Sequence, residues 1–153
     1  YSFMLFRQKV HLKRINPFDV IESFHNRDFV DFLISFQPVK ILKWTGIKNG
    51  ESASFKFWFF GWKIMDVIHQ NYQSKTDFLS FEDHGVGLPF GLTSWKHRHI
   101  VEKVQNGTLI TDMIFFDEST TVKKFLIKPI MLFPIITRIL SYKVWFYFIK
   151  NKG

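Results

Sequence analysis

The chain of 153 residues is 46% hydrophobic and contains 20 Phe, 5 Trp and 4 Tyr. This length and apolar content predict a single domain, residues 1–153, with a core of its own, and they exclude a disordered chain. Cysteine is absent, which excludes disulfides, thiolate metal sites and cysteine nucleophiles and fits a cytoplasmic protein.

The formal net charge is +8, yet the basic residues are scattered singly along the chain. That distribution predicts a solvated basic surface and no nucleic-acid partner. The strongest uncharged apolar run covers residues 129–137, far short of the roughly 20 residues that a membrane span needs. The sequence therefore predicts a soluble protein that at most touches a membrane surface.

The first part of the chain predicts one strand followed by two short helices. Apolar and polar residues alternate over residues 6–13, which is typical of a half-exposed strand. Asn16 and Pro17 suit the start of a helix, and helical patterns follow over residues 18–24 and 28–35.

After Pro38 the sequence changes to short strand patterns separated by turn residues. We expect six further strands, over residues 39–44, 52–60, 62–72, 76–83, 94–104 and 108–116. The last element is one long helix over residues 121–149, bent at Pro129 or Pro134 because proline disturbs the helical hydrogen bonds.

This order, β-α-α-β-β-β-β-β-β-α, predicts an α+β fold with a curved antiparallel sheet of about seven strands. The long terminal helix is the large apolar element that can cover one face of the sheet. The apolar residues that indicate this helix are spaced by three, four or seven: Leu126, Ile130, Phe133, Leu140, Val144 and Phe148. Between helix and sheet we expect a cavity.

The strongest hairpin signal is Gln105-Asn106-Gly107. If Asn106 and Gly107 form a two-residue turn, Gln105 pairs with Thr108 across the hairpin.

That register fixes which side chains share a face. Strand alternation places Trp95, His97 and His99 on the same side of the hairpin as Asp112 and Ile114, and the apolar members mark this side as the inner one. Asp112 is then diagonal to His99 and within reach of a hydrogen bond or ion pair.

Two inward histidines and a carboxylate allow four interpretations. They are a buried structural network, the polar end of a ligand pocket, an acid/base group in which His97 or His99 is tuned by Asp112, or a metal site. Glu102 falls on the opposite face, so Asp112 is the carboxylate expected to complete a metal triad. From the sequence we assign no metal and no cofactor.

Two other segments attract attention. Gly85-Val86-Gly87 opens like a dinucleotide-binding fingerprint, but a strand follows it instead of a helix, so we interpret residues 85–91 as a loop at a cavity mouth. The aromatic and basic residues 142–152 are compatible with a buried helix face, with contact at a membrane surface, or with a homodimer contact.

These motifs resemble those of the ligand-binding SRPBCC proteins, in the START-like, birch-pollen-allergen-like helix-grip superfamily. The residues that carry the resemblance are Phe81-x-Asp83, Pro89-Phe90, Trp95-x-His97-x-His99 and Asn106-Gly107-Thr108-x-x-x-Asp112-x-Ile114-x-Phe116. Residues 16–20 resemble the entry to the first short helix of that family. The resemblance implies a seven-stranded sheet that grips a long C-terminal helix around an apolar cavity.

The resemblance also implies a function. Members bind lipids, polyketides, sterols or other hydrophobic molecules, so we expect binding or carriage of a small hydrophobic ligand. The alternative is a cyclase or dehydratase that uses His97, His99 and Asp112 as its acid/base group. The expected wall residues are Trp95, His97, His99, Asp112, Ile114, Phe116, Phe133 and Leu140.

Overall fold

The computed structural model describes the backbone of residues 3–118 and 121–150, and the side chains of residues 6–116 and 127–150. Seven strands and four α-helices follow one another in the described chain. They are β1 (Phe3–Lys13), α1 (Pro17–Phe24), α2 (Arg27–Leu33), β2 (Val39–Trp44), β3 (Ser52–Trp58), β4 (Trp62–Ser74), β5 (Phe78–Gly87), β6 (Leu92–Val104), β7 (Gly107–Glu118), α3 (Thr121–Ile136) and α4 (Arg138–Val144).

The strands form one antiparallel sheet with the order β1-β7-β6-β5-β4-β3-β2. Each strand from β2 to β7 pairs with its neighbours in sequence, and β1 pairs with β7 at one edge of the sheet. The predicted α+β architecture and element order are confirmed. Helix α1 begins where the sequence predicts it, since the Asn16 side chain accepts a hydrogen bond from the Phe18 N–H and Pro17 occupies the first turn.

The β6–β7 hairpin has a register that differs by two residues from the predicted one. Val104 pairs with Gly107, so Gln105 and Asn106 form the turn, and Asn106 takes the positive φ of 63°. A shift of two residues leaves every side chain on its predicted face. Its consequence is that His99 lies directly opposite Asp112 instead of diagonal to it.

Strand β5 continues beyond its predicted end. His84 still pairs with Lys96, and Gly85 and Gly87 pair with β4. The predicted loop over residues 85–91 is therefore wrong in its first half, because the glycines extend the ladder. Only residues 88–91 connect β5 to β6.

The long C-terminal helix is interrupted at Thr137, and both prolines lie inside α3. Thr137 itself keeps helical angles, φ −61° and ψ −22°, and the bend at Pro129 or Pro134 stays a prediction. At this junction the Gln8 side chain donates to the Ile135 carbonyl oxygen at 2.7 Å. After α4 the chain continues as a π-helical turn, Trp145–Ile149.

The inner face of the sheet carries two apolar clusters. In the first, α1, α2 and α4 pack on the sheet, with Phe24, Phe29 and Phe146 at its centre. In the second, α3 packs Ile127 and Met131 against the sheet. These helices bury the large apolar area that stabilises the fold.

The face that the terminal helix turns inward differs from the predicted one. The buried residues are Ile127, Met131, Leu132, Ile135, Tyr142 and Phe146. Phe133 and Leu140 are 56% and 69% exposed and lie on the outer face. The side chain of Leu126 lies outside the described residues. The prediction failed because this helix is apolar on most sides, so apolar spacing alone cannot define its buried face.

The outer face of the same helix is also apolar. Phe133, Leu140 and Phe148 are its most exposed large side chains. The stretch Ile127–Ile149 is long and apolar enough to cross a membrane, judged by length and composition alone, and 22% of its most apolar window is buried.

Candidate functional site

A belt of polar side chains separates the two apolar clusters on the inner face of the sheet. On β6, His97 and His99 stand between buried Trp95 and Val101. On β7, Asp112 stands between Ile110 and Ile114, which are fully buried. The alternation of strand side chains therefore places all three predicted polar residues inside the protein.

Neighbouring strands add further members to this polar belt. Asp83 on β5 pairs with His97 on β6, and His69 on β4 pairs with Asp83. From the helix, Arg138 and Tyr142 reach the same place, four residues apart and so on one helix face.

Asp112 is the acceptor at the centre of the belt. Its Oδ1 lies 2.7 Å from Nε2 of His97, 3.3 Å from the Arg138 guanidinium and 3.4 Å from Nδ1 of His99. The Tyr142 hydroxyl donates to Oδ2 at 2.9 Å. A fully buried carboxylate is stable only with partners of this kind, so these contacts tie the sheet to the terminal helix.

Asp83 is a second centre with different partners. Its Oδ2 lies 3.0 Å from Nε2 of His99 and 3.9 Å from Nδ1 of His97. Its Oδ1 lies 3.0 Å from Nε2 of His69. Three imidazoles thus surround one carboxylate.

The partners of the two buried carboxylates favour their charged forms. Burial alone would raise the pKa of Asp112, but hydrogen bonds from His97 and His99 outweigh it and hold that pKa well below its usual range. Burial likewise acts to raise the pKa of Asp83, but His99 and His69 together outweigh it and hold that pKa well below its usual range. Both carboxylates are therefore ionised.

The pKa values of the two histidines of β6 are shifted in opposite directions. Burial and the charge of neighbouring His99 lower the pKa of His97 to about 4. Burial acts to lower the pKa of His99 too, but Asp83 and Asp112 outweigh it and raise the pKa above its usual value. The positive charge of Arg138 also lies beside the Asp112 carboxylate, and its pKa is raised by the neighbouring acidic groups.

Ring contacts fix the imidazoles in place. The His99 ring stacks on Phe81 with centroids 4.2 Å apart, and it lies 3.7 Å from the His97 ring. His97 meets the edge of Trp95 at 6.5 Å. Packing on both sides means that these imidazoles are held at fixed orientations.

The predicted site residues divide into two groups. Trp95, His97, His99, Asp112, Ile114 and Phe116 lie together on the inner face. Phe133 and Leu140 lie on the outer helix face and take no part in this inner cluster.

Sequence reasoning missed His69, Asp83, Arg138 and Tyr142 as site residues. The alternation of side chains along a strand could have identified two of them. His69 lies on the same strand face as buried Met65 and Val67, and Asp83 lies on the same face as buried Phe81. The signal for Arg138 and Tyr142 was a polar pair four residues apart in an apolar helix.

The inner face has an aromatic wall beside the polar belt. Its rings are partly exposed and belong to Phe6, Trp44, Phe55, Phe57 and Phe90. Phe90, from the β5–β6 connection, packs its ring 5.9 Å from that of Phe57. Helix α3 packs along β7, near the β1 edge of the sheet. The rings of β2 and β3, at the other edge, are only partly buried.

Comparisons with known proteins identify the fold. The sequence matches no protein-family model and no curated protein. The structure is similar to the Aha1 dimer from Colwellia psychrerythraea, at 14% identity over 98% of each chain with a TM-score of 0.59. It is also similar to ginseng major latex-like protein 151 from Panax ginseng, at 14% identity over 92% of this chain and 96% of that chain with a TM-score of 0.54.

A third similar structure is Ara h 8.0201, at 14% identity over 92% of this chain and 98% of that chain, with a TM-score of 0.52. Likeness at this identity concerns the fold, because one fold hosts many functions. The chain thus has the helix-grip fold that the START-like and birch-pollen-allergen-like proteins share.

Proposed function

We propose that the protein binds a small hydrophobic molecule between the aromatic wall and the terminal helix. The observation that carries the proposal is the wall itself, whose rings line the concave face of the sheet and are only partly buried. Apolar rings in a concave, partly open place are the usual lining of ligand sites.

The energetics favour an apolar occupant. Covering about 150 Å² of apolar surface stabilises a complex by about 4 kcal/mol before the entropy cost of binding. The backbone at Phe55 and Phe57 is paired with a strand on both sides, so binding need not order this part of the chain first.

The polar belt would orient such a molecule. Asp83 and Arg138 have side chains that are each 16% exposed, while Asp112 is fully buried. A hydroxyl on the ligand would therefore donate to Asp83, and a carboxylate on the ligand would pair with Arg138. Both contacts favour an amphiphile with one polar end. Catalysis of the cyclase or dehydratase type stays a prediction.

A fluorescence titration with anilinonaphthalene sulfonate tests the proposal. Phe57→Ala should weaken binding about tenfold, because the ring supplies part of the wall. Trp58→Ala is the matched control, since Trp58 is the next residue on β3 and faces the opposite side, 49% exposed. Absence of saturable binding, or equal loss in both variants, would contradict the proposal.

The outer helix face favours a second candidate, contact with an anionic lipid surface. Its exposed apolar residues include Phe133 and Leu140, and exposed Lys128 and Lys143 lie on the same helix. The net charge of +8 complements anionic lipid and not a second copy of the same basic chain.

Vesicle sedimentation separates this candidate from the first. Leu140→Asp should reduce binding to phosphatidylglycerol vesicles at low salt. Leu42→Asp, on β2 and 53% exposed, should not. Equal sedimentation of both variants, or none of the wild-type protein, would refute contact through this face.

A further inference from the structure

Three imidazoles and one carboxylate converge within the polar belt. We propose that Asp83, His97 and His99 form a binding site for a divalent transition-metal ion of the zinc or ferrous class, with His69 beside the carboxylate. This inference stands on the geometry of the cluster and does not depend on the proposed ligand.

The donor atoms are spaced as a metal requires. One donor atom each from Asp83, His97 and His99 lies within 4.8 Å of the other two. Asp83 Oδ2 is 3.0 Å from His99 Nε2 and 3.9 Å from His97 Nδ1. Ligands in a tetrahedral zinc site stand about 3.3 Å apart, given metal–ligand bonds of about 2.0 Å. The distance between Asp83 and His99 is close to this value, and that between Asp83 and His97 would have to shorten by about 0.6 Å.

His69 contacts the carboxylate from its other side and lies outside the set of three donors. Its Nε2 lies 3.0 Å from Asp83 Oδ1. That oxygen is buried and accepts no hydrogen bond of good geometry from any residue that the structure describes. A buried carboxylate oxygen without a hydrogen bond is costly, and a bound cation would satisfy it.

The second nitrogen of each imidazole is held as in metal sites. His97 Nε2 lies 2.7 Å from Asp112 Oδ1, and His99 Nδ1 lies 3.4 Å from the same oxygen. His69 Nδ1 lies 3.0 Å from the Glu51 carbonyl oxygen. Carboxylates and carbonyls in these positions fix the tautomer and the orientation of metal-binding histidines. The other nitrogen of each ring is thereby turned toward Asp83.

The donor set selects the metal class. Imidazole nitrogens suit zinc, iron, cobalt, nickel and copper, whereas calcium and magnesium require oxygen donors. The carboxylate that completes the site is Asp83. The sequence pattern indicated Asp112 as this carboxylate, but Asp112 contacts the nitrogens of His97 and His99 that face away from Asp83.

A titration of the purified, chelator-treated protein with Co²⁺ tests the site, because tetrahedral cobalt absorbs visible light strongly. We expect one ion per chain and displacement by Zn²⁺. Asp83→Asn and His99→Gln should each weaken binding at least about a hundredfold. His11→Gln is the control, since His11 is exposed on β1 and should leave binding unchanged.

A second readout covers variants that fold poorly. Zn²⁺ should raise the melting temperature of the wild-type protein and of His11→Gln, but not that of Asp83→Asn. Asp112→Asn should weaken metal binding about 10–100-fold, the effect of a residue behind the ligands. No cobalt binding by the wild-type protein, or the same affinity in Asp83→Asn and wild type, would overturn the proposal.

Discussion

Asp112 and its partners join three elements of the fold at one carboxylate. His97 comes from β6, Asp112 from β7, and Arg138 and Tyr142 from the terminal helix. Removing the carboxylate would leave Arg138 buried without its counter-charge and the Tyr142 hydroxyl without an acceptor. Loss of one partner from a buried ionic network is costly because the others lose their compensation.

Asp112→Ala should therefore lower the free energy of unfolding by about 3–5 kcal/mol. Urea denaturation followed by circular dichroism measures this. Asp31→Ala removes an exposed carboxylate that pairs with Arg27 at 3.0 Å, and it should change stability by at most about 0.5 kcal/mol. Equal effects in the two variants would show that Asp112 is not a structural centre.

Tyr142→Phe tests one hydrogen bond of the network. The hydroxyl donates to Asp112 Oδ2 from full burial, and its loss should cost about 1–3 kcal/mol. Tyr147→Phe removes a hydroxyl bonded to the Lys13 carbonyl oxygen at an exposed place and should cost less. A larger loss for Tyr147→Phe in thermal unfolding would be inconsistent with the network described.

At the scale of elements, the terminal helix has one buried face that apolar spacing did not identify. Phe146→Ala should cost about 3–5 kcal/mol, since Phe146 is 1% exposed and packs near Phe29. Leu140→Ala should change the free energy of unfolding by at most about 0.5 kcal/mol, since Leu140 lies outside. A larger loss of unfolding free energy for Leu140→Ala than for Phe146→Ala in chemical denaturation would show that Leu140 lies on the buried face, as the sequence predicted.

The β6–β7 turn requires glycine for a reason that lies in another strand. Gly107 has φ +152°, and a Cβ there would collide with the Leu12 carbonyl oxygen of β1. Gly107→Ala should therefore destabilise the protein by more than about 1 kcal/mol. Gly61→Ala shares the unfavourable φ, at +121°, but meets open space, and should cost less. Thermal unfolding measures the loss of stability in the two variants. An equal loss would argue against a collision between a Cβ at position 107 and the Leu12 carbonyl oxygen.

Elements could be predicted where a local signal determines them. Asn16 and Pro17 mark the start of α1, and alternation marks the inner faces of β6 and β7. The hairpin register could not be read from Asn106-Gly107, because pairing with β1 also constrains that turn. The buried face of the terminal helix could not be predicted either, because only tertiary contacts distinguish Tyr142 from its apolar neighbours.

At the scale of the whole molecule, the order of the elements predicts the fold. The sequence predicts only part of the candidate site. His97, His99 and Asp112 share a strand face, which parity predicts. Asp83 and His69 join them because β4, β5 and β6 are adjacent in the sheet, and adjacency of that kind is fixed by the complete topology. The many aromatic residues of the sequence lie in three places, which are the buried core, the partly buried inner wall and the exposed helix face.

Mapping by ¹H–¹⁵N NMR tests the central claim, that the inner wall holds an apolar ligand, most directly. Titration with lauric acid should shift the Trp95 indole signal and the backbone amides of β2 and β3, and saturate at one molecule per chain. The signals of Trp58 and of the outer residues of α4 should move little. Shifts confined to the outer face of α4, or no saturable shift of any signal, would contradict the account.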